Sequence, residues 1–227
     1  LDWVFIFGNL GAPALGVAGS GLVTALCRGF MCIGLLVWLK RPAYRAYTKG
    51  AQVSRALFVK VFRLGVPIGL THALEVGAFA ASSIYMGWIG VTALAAHQIA
   101  LKMATASFML AISLGIATGI RVGNGIGASE PDAAQRSAWV GIGIGLMCMA
   151  INGLIFVVFR RELVGAFTPD AAVVELGATL LLVAAVFQLS DGTQAICAGA
   201  LRGAGRTVQP MIAQLCAHWV IALPLGY

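Results

Sequence analysis

Residues 61–86 have the sequence VFRLGVPIGLTHALEVGAFAASSIYM, an apolar stretch with only two formally charged side chains. About 20 residues of this kind are enough for an α-helix to cross the hydrocarbon core of a bilayer. Arg63 lies near the start of the stretch, whereas Glu75 lies in its middle. The stretch therefore predicts a transmembrane helix that carries an acid inside the membrane.

The composition of the whole chain agrees with this prediction. Of its 227 residues, 60% are hydrophobic and 10% are charged, whereas soluble domains carry about 25% charged residues. The mean hydropathy is +0.93. The 29 glycines and five tryptophans are typical of closely packed membrane helices with aromatic anchors at the interfaces. We expect an all-α integral membrane protein, a polytopic helical bundle, and exclude an ordinary soluble domain.

Six full spans and a partial one follow from the apolar pattern. The full spans are predicted at residues 17–39, 61–86, 92–118, 136–159, 171–201 and 208–227. Residues 3–7 are the expected tail of a further helix, and the segment 119–135 is a predicted loop with a helix stop at Gly127 and a helix start at Pro131. Because both ends of the chain lie in apolar segments, we expect a fragment of a larger membrane protein.

The basic residues predict the orientation. Eleven of them fall in alternate loops on one side, and only Arg160 and Arg161 fall on the other. The positive-inside rule then makes the first side cytoplasmic. The seven basic residues that crowd one loop and its flanks are Lys40, Arg41, Arg45, Lys49, Arg55, Lys60 and Arg63. This loop can touch anionic lipid headgroups, and we expect no nucleic-acid partner.

Two acids inside the spans, Glu75 and Asp191, are the strongest functional signal. An ionised carboxylate in a span costs about 2.5–3.5 kcal/mol on insertion scales, so such residues usually face a functional interior. A helical repeat of about 100° per residue places other polar side chains in narrow strips beside them. These are His72 beside Glu75, Gln188 and Gln194 beside Asp191, and Gln98 with Lys102 on the span between. The two acids can exchange a proton or hold a sodium ion.

Structural roles compete with this interpretation. Glu75 can form a buried ion pair with Lys102 or Arg28, and Asp191 can cap a helix break beside Gly192. The spacing His72-x-x-Glu75 suits a metal site, but no further ligands follow nearby, so we expect none. The run Gly123-Asn124-Gly125-Ile126-Gly127 superficially resembles a phosphate loop, yet no strand precedes it and no GK[ST] follows. We predict a flexible interhelical loop there.

Several motifs resemble the multidrug and toxic compound extrusion (MATE) family, in the family's order and over essentially the whole chain. They are Leu64-Gly65-Val66-Pro67, Leu94-Ala95-Ala96-His97-Gln98-Ile99-Ala100-Leu101, Arg121-Val122-Gly123-Asn124, Phe187-Gln188-Leu189-Ser190-Asp191 and Gly199-Ala200-Leu201-Arg202-Gly203-Ala204-Gly205. The resemblance implies two six-helix lobes that rock between inward-open and outward-open states. It implies that this chain runs from the end of helix 5 through helix 11 of twelve.

The resemblance also implies a domain organisation. Residues 1–39 would be the end of the N-terminal lobe, with the end of helix 5 and helix 6. Residues 40–60 would be the basic cytoplasmic loop between lobes, and residues 61–227 would be helices 7–11 of the C-terminal lobe. The short echo between Asp2-Trp3-Val4 and His218-Trp219-Val220 would then fall on equivalent helices of the two lobes, as in transporters with internal repeats.

The NorM-like branch of this family carries acids on helices 7 and 10, which the match places at Glu75 and Asp191. These would couple cation binding to substrate export. Gln98 matches a position implicated in substrate contact, and the ring of Phe187, one turn before Asp191, can face a cation. His72, Gln188 and Gln194 complete the expected substrate pathway. Lys102 departs from the neutral polar residue expected at its position. A cation there can lower the affinity for cationic drugs or pair with an acid at one stage of the transport cycle.

These observations lead to one main hypothesis for function. We expect a secondary antiporter of the bacterial inner membrane, which exchanges Na⁺ or H⁺ for bulky amphipathic and often cationic drugs. It would be no enzyme, need no cofactor, contact membrane lipid, and be monomeric at full length. The alternatives are a lipid-linked oligosaccharide flippase of the same superfamily and a membrane-embedded enzyme that uses His72, Glu75 and His97.

Overall fold

The computed structural model describes residues 2–8, 13–41 and 54–226, and within these ranges the regular structure is helical, without strands. The predicted all-α membrane fold is confirmed. The helices are α1 (Asp2–Phe7), α2 (Gly16–Leu39), α3 (Arg55–Ile89), α4 (Val91–Gly127), α5 (Pro131–Val158), α6 (Arg160–Gly165), α7 (Ala171–Gly203), α8 (Val208–Gln214), the π-helical segment Leu215–Ala222 and α9 (Leu223–Gly226).

Six helical segments are long and apolar enough to cross a membrane, and they follow the six predicted full spans in order. They are Gly16–Leu39, Arg55–Ile89, Val91–Gly127, Pro131–Val158, Ala171–Gly203 and Val208–Leu225. Large apolar side chains stay exposed along these spans, for example Phe30 at 80% and Val186 at 72%. In a membrane protein, lipid covers such an exposed apolar surface.

The largest departure from the predicted boundaries lies between α4 and α5. The predicted loop 119–135 is wrong over most of its length, because only residues 128–130 interrupt the helices. The flexible loop predicted for Gly123–Gly127 is likewise wrong, since these residues form the last turn of α4. The predicted stop at Gly127 and start at Pro131 are confirmed. Ser129 makes the turn with a left-handed φ of 59°.

Other ends of helices also differ by several residues. α3 begins at Arg55 rather than at residue 61, with the Ser54 hydroxyl accepting a hydrogen bond from the Leu57 amide at 3.1 Å. It continues to Ile89, so the gap of residues 87–91 between two predicted spans shrinks to Gly90, whose φ of 148° favours glycine. The predicted loop 160–170 contains the short helix α6, and most of the basic loop (residues 42–53) lies outside the described residues.

The chain forms two compact units, Leu1–Phe58 and Val59–Tyr227. In the first, the described residues form α1, α2 and the first turn of α3, and the Leu15 amide donates a hydrogen bond to the Phe5 carbonyl at 2.9 Å. This bond turns the chain from α1 into α2, and α1 packs against α2 near the buried Gly19.

In the second unit, α4, α5 and α7 form a tightly packed core. Its centre is a buried cluster of Ala100, Phe156, Val164, Leu181 and Ala185. The contact between α4 and α7 depends on missing side chains: a Cβ atom on Gly199 would overlap the Gly115 carbonyl, and one on Gly203 would overlap that of Gly119. Small residues let membrane helices approach this closely.

Helix α3 and the last span (Val208–Leu225) contact this core mainly through their side chains. The backbone of α3 does not pack closely along any other described helix. The indole Nε1 of Trp219 donates a hydrogen bond to the Leu74 carbonyl at 3.0 Å. The Trp219 ring also lies 3.1 Å from the position of a Cβ on Gly77. Long side chains between widely spaced backbones leave cavities, and the candidate site lies among them.

Candidate functional site

Glu75 lies midway along α3, on the side that faces the rest of the second unit. Its side chain is 14% exposed, and its Oε2 lies 3.7 Å from Nδ1 of His72, one turn earlier and half exposed. His218 and Arg202 also interact electrostatically with this carboxylate. Cationic or protonatable groups from three segments of the chain therefore act electrostatically on Glu75, and His72 is the one within ion-pair distance among the described residues.

Asp191 lies on α7 and is 8% exposed. Within the described part of the chain it makes no ion pair and no side-chain hydrogen bond. The charge that acts on it is that of Glu75. The helix runs unbroken past Gly192, so Asp191 caps no helix break. Burying an ionised and unpartnered carboxylate costs several kcal/mol, a cost that a bound proton or cation would remove.

Two aromatic cavities lie about one helical turn from the acids, which are not among their lining residues. A cavity of about 250 Å³ lies between α3, α7 and the last span, and another of about 300 Å³ lies between α3, α4 and α7. Phe79 and Phe187 line both of them. His218 lines the first, with its ring edge-on to Phe79 at 6.2 Å between centroids. Apolar walls with a few polar groups are typical of pockets for small molecules.

A third cavity of about 510 Å³ opens near the other end of the same helices. Glycines of α4 and α7 form much of its wall, and Arg202 and Asn124 supply its polar groups. The predicted span ends at residue 201 and leaves Arg202 in the loop that follows, but Arg202 lies in the last turn of α7, where its Nε donates to the Ala198 carbonyl at 3.1 Å. The side chain therefore points back along α7, towards the membrane.

Three of the predicted pathway residues join helices to one another. The amide oxygen of Gln188, which is 3% exposed, accepts a hydrogen bond from the Ser107 hydroxyl, while its nitrogen has no partner among the described atoms. Gln194 donates to the buried Gln214. Gln98 donates to Ser83 Oγ at 3.1 Å.

The remaining predicted residues lie more openly. Lys102 is exposed on α4, and among the described residues Glu75 forms its ion pair with His72 and not with Lys102. Phe187 is 39% exposed and lies at the cavities. The structure thus brings Glu75, Asp191 and Phe187 into one region and leaves Lys102 apart from the acids.

Sequence reasoning missed the contribution of the last span. The His218 ring packs edge-on against Phe79 and interacts electrostatically with Glu75, and Trp219 donates a hydrogen bond to the backbone of α3. The only signal was the repeat of a Trp-Val pair at both ends of the chain. Among the described residues, no three His, Cys, Asp or Glu side chains come together as a metal site would require.

Residues 67–227, which include both acids and every lining residue of the three cavities described above, match the MatE family. The chain belongs to the MatE family. Two relatives are the probable multidrug resistance protein NorM of Mesorhizobium japonicum, 40% identical over 99% of this chain, and the multidrug resistance protein NorM of Burkholderia vietnamiensis, 36% identical over 100% of it. In each case the match covers 50% of the relative. This MatE chain thus spans about half the length of these curated relatives.

A solved structure supports the same fold. The crystal structure of the eukaryotic MATE transporter AtDTX14 superposes with a TM-score of 0.83 at 22% identity, covering 99% of this chain and 50% of that one. At this identity the likeness concerns the fold alone. Together with the six apolar spans, it makes this MatE chain a multi-pass membrane protein.

Proposed function

We propose that this MatE chain belongs to a secondary active multidrug efflux antiporter, which exchanges Na⁺ or H⁺ for bulky amphipathic, often cationic drugs. One observation carries the proposal: Glu75 and the buried, unpartnered Asp191 interact electrostatically beside cavities lined by Phe79 and Phe187. Acids inside a membrane protein usually mark ion or proton pathways. The names of the NorM relatives support drug export.

The exchange would follow from competition for the same negative charge. A cationic drug in the cavities would be attracted to Glu75 and Asp191 and could stack on the ring of Phe187. A proton or Na⁺ that neutralises the two acids would remove that attraction and release the drug. Na⁺ or H⁺ that enters down its gradient would thereby drive export, without ATP, a cofactor or a catalytic residue.

The proposal includes an organisation for the whole protein. Residues 1–39 would end the N-terminal lobe, residues 40–60 would link the lobes in the cytoplasm, and residues 61–227 would form helices 7–11 of the C-terminal lobe. The protein would work as a monomer in the bacterial inner membrane. His72, Gln98, Gln188 and Gln194 would belong to the substrate pathway, and exposed Lys102 would weaken the binding of cationic drugs.

The test is ethidium uptake by everted vesicles that contain the protein expressed from its complete gene. A Na⁺ gradient and a pH gradient, each directed out of the vesicle, are imposed separately. We expect one gradient to drive uptake, and Glu75→Gln and Asp191→Asn each to lower the initial rate at least tenfold. The driving gradient names the coupling ion.

Glu175→Gln is the matched control, because Glu175 is an exposed acid on α7 that pairs with Arg161 at 2.9 Å. Uptake in this variant should equal wild type. Gradient-driven uptake that survives Asp191→Asn would refute the coupling role. Ethidium movement that ignores both gradients and both site variants would refute antiport and favour the flippase or the enzyme.

A further inference from the structure

A groove between α4 and α5 lies outside the cavities described above. It has a volume of about 330 Å³ and is lined by Leu114, Ala117, Thr118, Arg121, Arg136, Ser137, Val140, Gly141 and Ile144. Its floor is a tight helix crossing, since a Cβ atom on Gly141 would overlap the Thr118 side chain. The groove is therefore a defined trough on the surface of the bundle.

The polar end of this groove carries two cations. Arg121 lies six residues before the end of α4, and Arg136 lies five residues after the start of α5, so both are about 8–9 Å from the turn that joins these helices. Both side chains are exposed. Within the described ranges neither forms an ion pair, although the acids Glu130 and Asp132 lie at the same turn.

The rest of the groove is apolar and runs away from the turn. From Arg121 to Leu114 and from Arg136 to Ile144 the lining extends about 10–12 Å along the helices. Val140 and Ile144 remain 54% and 42% exposed, so the trough opens to the surface that lipid covers. Trp139, next to it, is 66% exposed, and exposed tryptophans mark the level of the headgroups.

We propose that this groove binds an anionic phospholipid of the inner leaflet. The phosphate would lie between the guanidinium groups of Arg121 and Arg136, which bind phosphate oxygens in a planar, two-pronged geometry. The Ser137 hydroxyl would hydrogen-bond to the headgroup, and an acyl chain would follow the apolar trough. The two unpaired cations at the level of the headgroups, on the side with the excess of basic residues, select a negative lipid over a neutral one.

The experiment is native mass spectrometry of the purified full-length protein, titrated with phosphatidylglycerol or with phosphatidylcholine of the same acyl chains. We expect phosphatidylglycerol to bind more tightly, and Arg121→Gln/Arg136→Gln to weaken it about tenfold. The double variant Arg55→Gln/Lys60→Gln is the control, because it removes two exposed cations outside the lining of the groove.

A second variant tests the acyl chain separately. Ala117→Trp fills the trough and keeps both arginines, so it should also weaken phosphatidylglycerol binding, even if the arginine variant proves unstable. Equal binding of both lipids, or undiminished binding in both groove variants, would overturn the proposal. Displacement of the lipid by millimolar inorganic phosphate would also overturn it, since the site would then recognise a free anion. The outcome is independent of drug transport, so it is distinguishable from failure of the antiport proposal.

Discussion

At the scale of the residue, a single hydrogen bond between side chains links two helices through a buried glutamine. Gln188 is almost wholly buried on α7 and has one hydrogen-bond partner among the described atoms, the hydroxyl of Ser107 on α4. Hydrogen bonds between membrane helices contribute about 0.6 kcal/mol on average and up to about 2 kcal/mol. The bond therefore adds to the α4–α7 contact, one turn of helix away from Asp191.

Ser107→Ala should lower the free energy of unfolding by about 1–2 kcal/mol, because it leaves the Gln188 amide buried without its partner. The measurement is unfolding by SDS from mixed micelles. Ser113→Ala is the control on the same helix, since the exposed Ser113 hydroxyl bonds only to the Met109 carbonyl of its own helix. An equal loss of unfolding free energy in the two variants would show that the bond to Gln188 adds no stability.

At the scale of the element, the contact between α4 and α7 is one of backbone on backbone. Gly115 and Gly119 of α4 lie against Gly199 and Gly203 of α7 with no room for side chains. Glycine in a helix interior costs about 0.5–1 kcal/mol relative to alanine. The close approach, with the dispersion contacts that it permits, offsets this cost.

Gly199→Ala should therefore destabilise the protein by about 1–3 kcal/mol, the range for overpacking of a tight interface. Gly143→Ala on α5 has the opposite expectation, because no atom lies within 4 Å of a Cβ built there. It should be neutral or slightly stabilising. Thermal unfolding in detergent gives both values, and a lower melting temperature for Gly143→Ala than for Gly199→Ala would disprove the close-packing argument.

At the scale of the whole molecule, the uneven distribution of basic residues between the two sides of the six spans predicts a definite orientation. The turn between α4 and α5 should face the cytoplasm, and the segment between α6 and α7 should face the opposite side. Glu130→Cys and Thr168→Cys, each in a full-length variant whose native cysteines are all replaced by alanine, report on these two positions. A membrane-impermeant maleimide added to intact cells should label Thr168→Cys alone. Labelling of Glu130→Cys instead would reverse the assignment.

The sequence predicts the spans well because hydropathy follows directly from composition along the chain. It fails at residues 119–127 because a cluster of glycines indicates a loop, whereas here Gly119 and Gly123 pack against Gly199 and Gly203, some 80 residues later. Arg202 is displaced from its predicted loop for the same reason. A helix end in a bundle depends on neighbours that local sequence does not reveal.

The sequence predicts the acids of the candidate site, but not how its polar side chains are paired. Glu75 and Asp191 stand out because acids in apolar spans are costly, and helical spacing selects their polar neighbours. Spacing does not reveal which polar residues are already bonded. Gln188 is joined to Ser107, and Gln194 to Gln214. Partners this distant in sequence become visible only in three dimensions, as does the position of His218 beside Glu75.

The length of α3 and α4 has a consequence for the membrane in which the protein resides. With 35 and 37 residues, each is about 52–56 Å long, whereas the hydrocarbon core is about 30 Å thick. The two helices meet at Gly90, beside the 70% exposed Trp88, which anchors that end at an interface. With its headgroup regions the bilayer is about 40–45 Å thick, so much of the surplus of about 22–26 Å lies within those regions, and the groove from Leu114 to Arg121 stays level with lipid. In a bilayer that is thinner by a few ångströms, both helices would tilt further to keep their apolar surface covered by lipid.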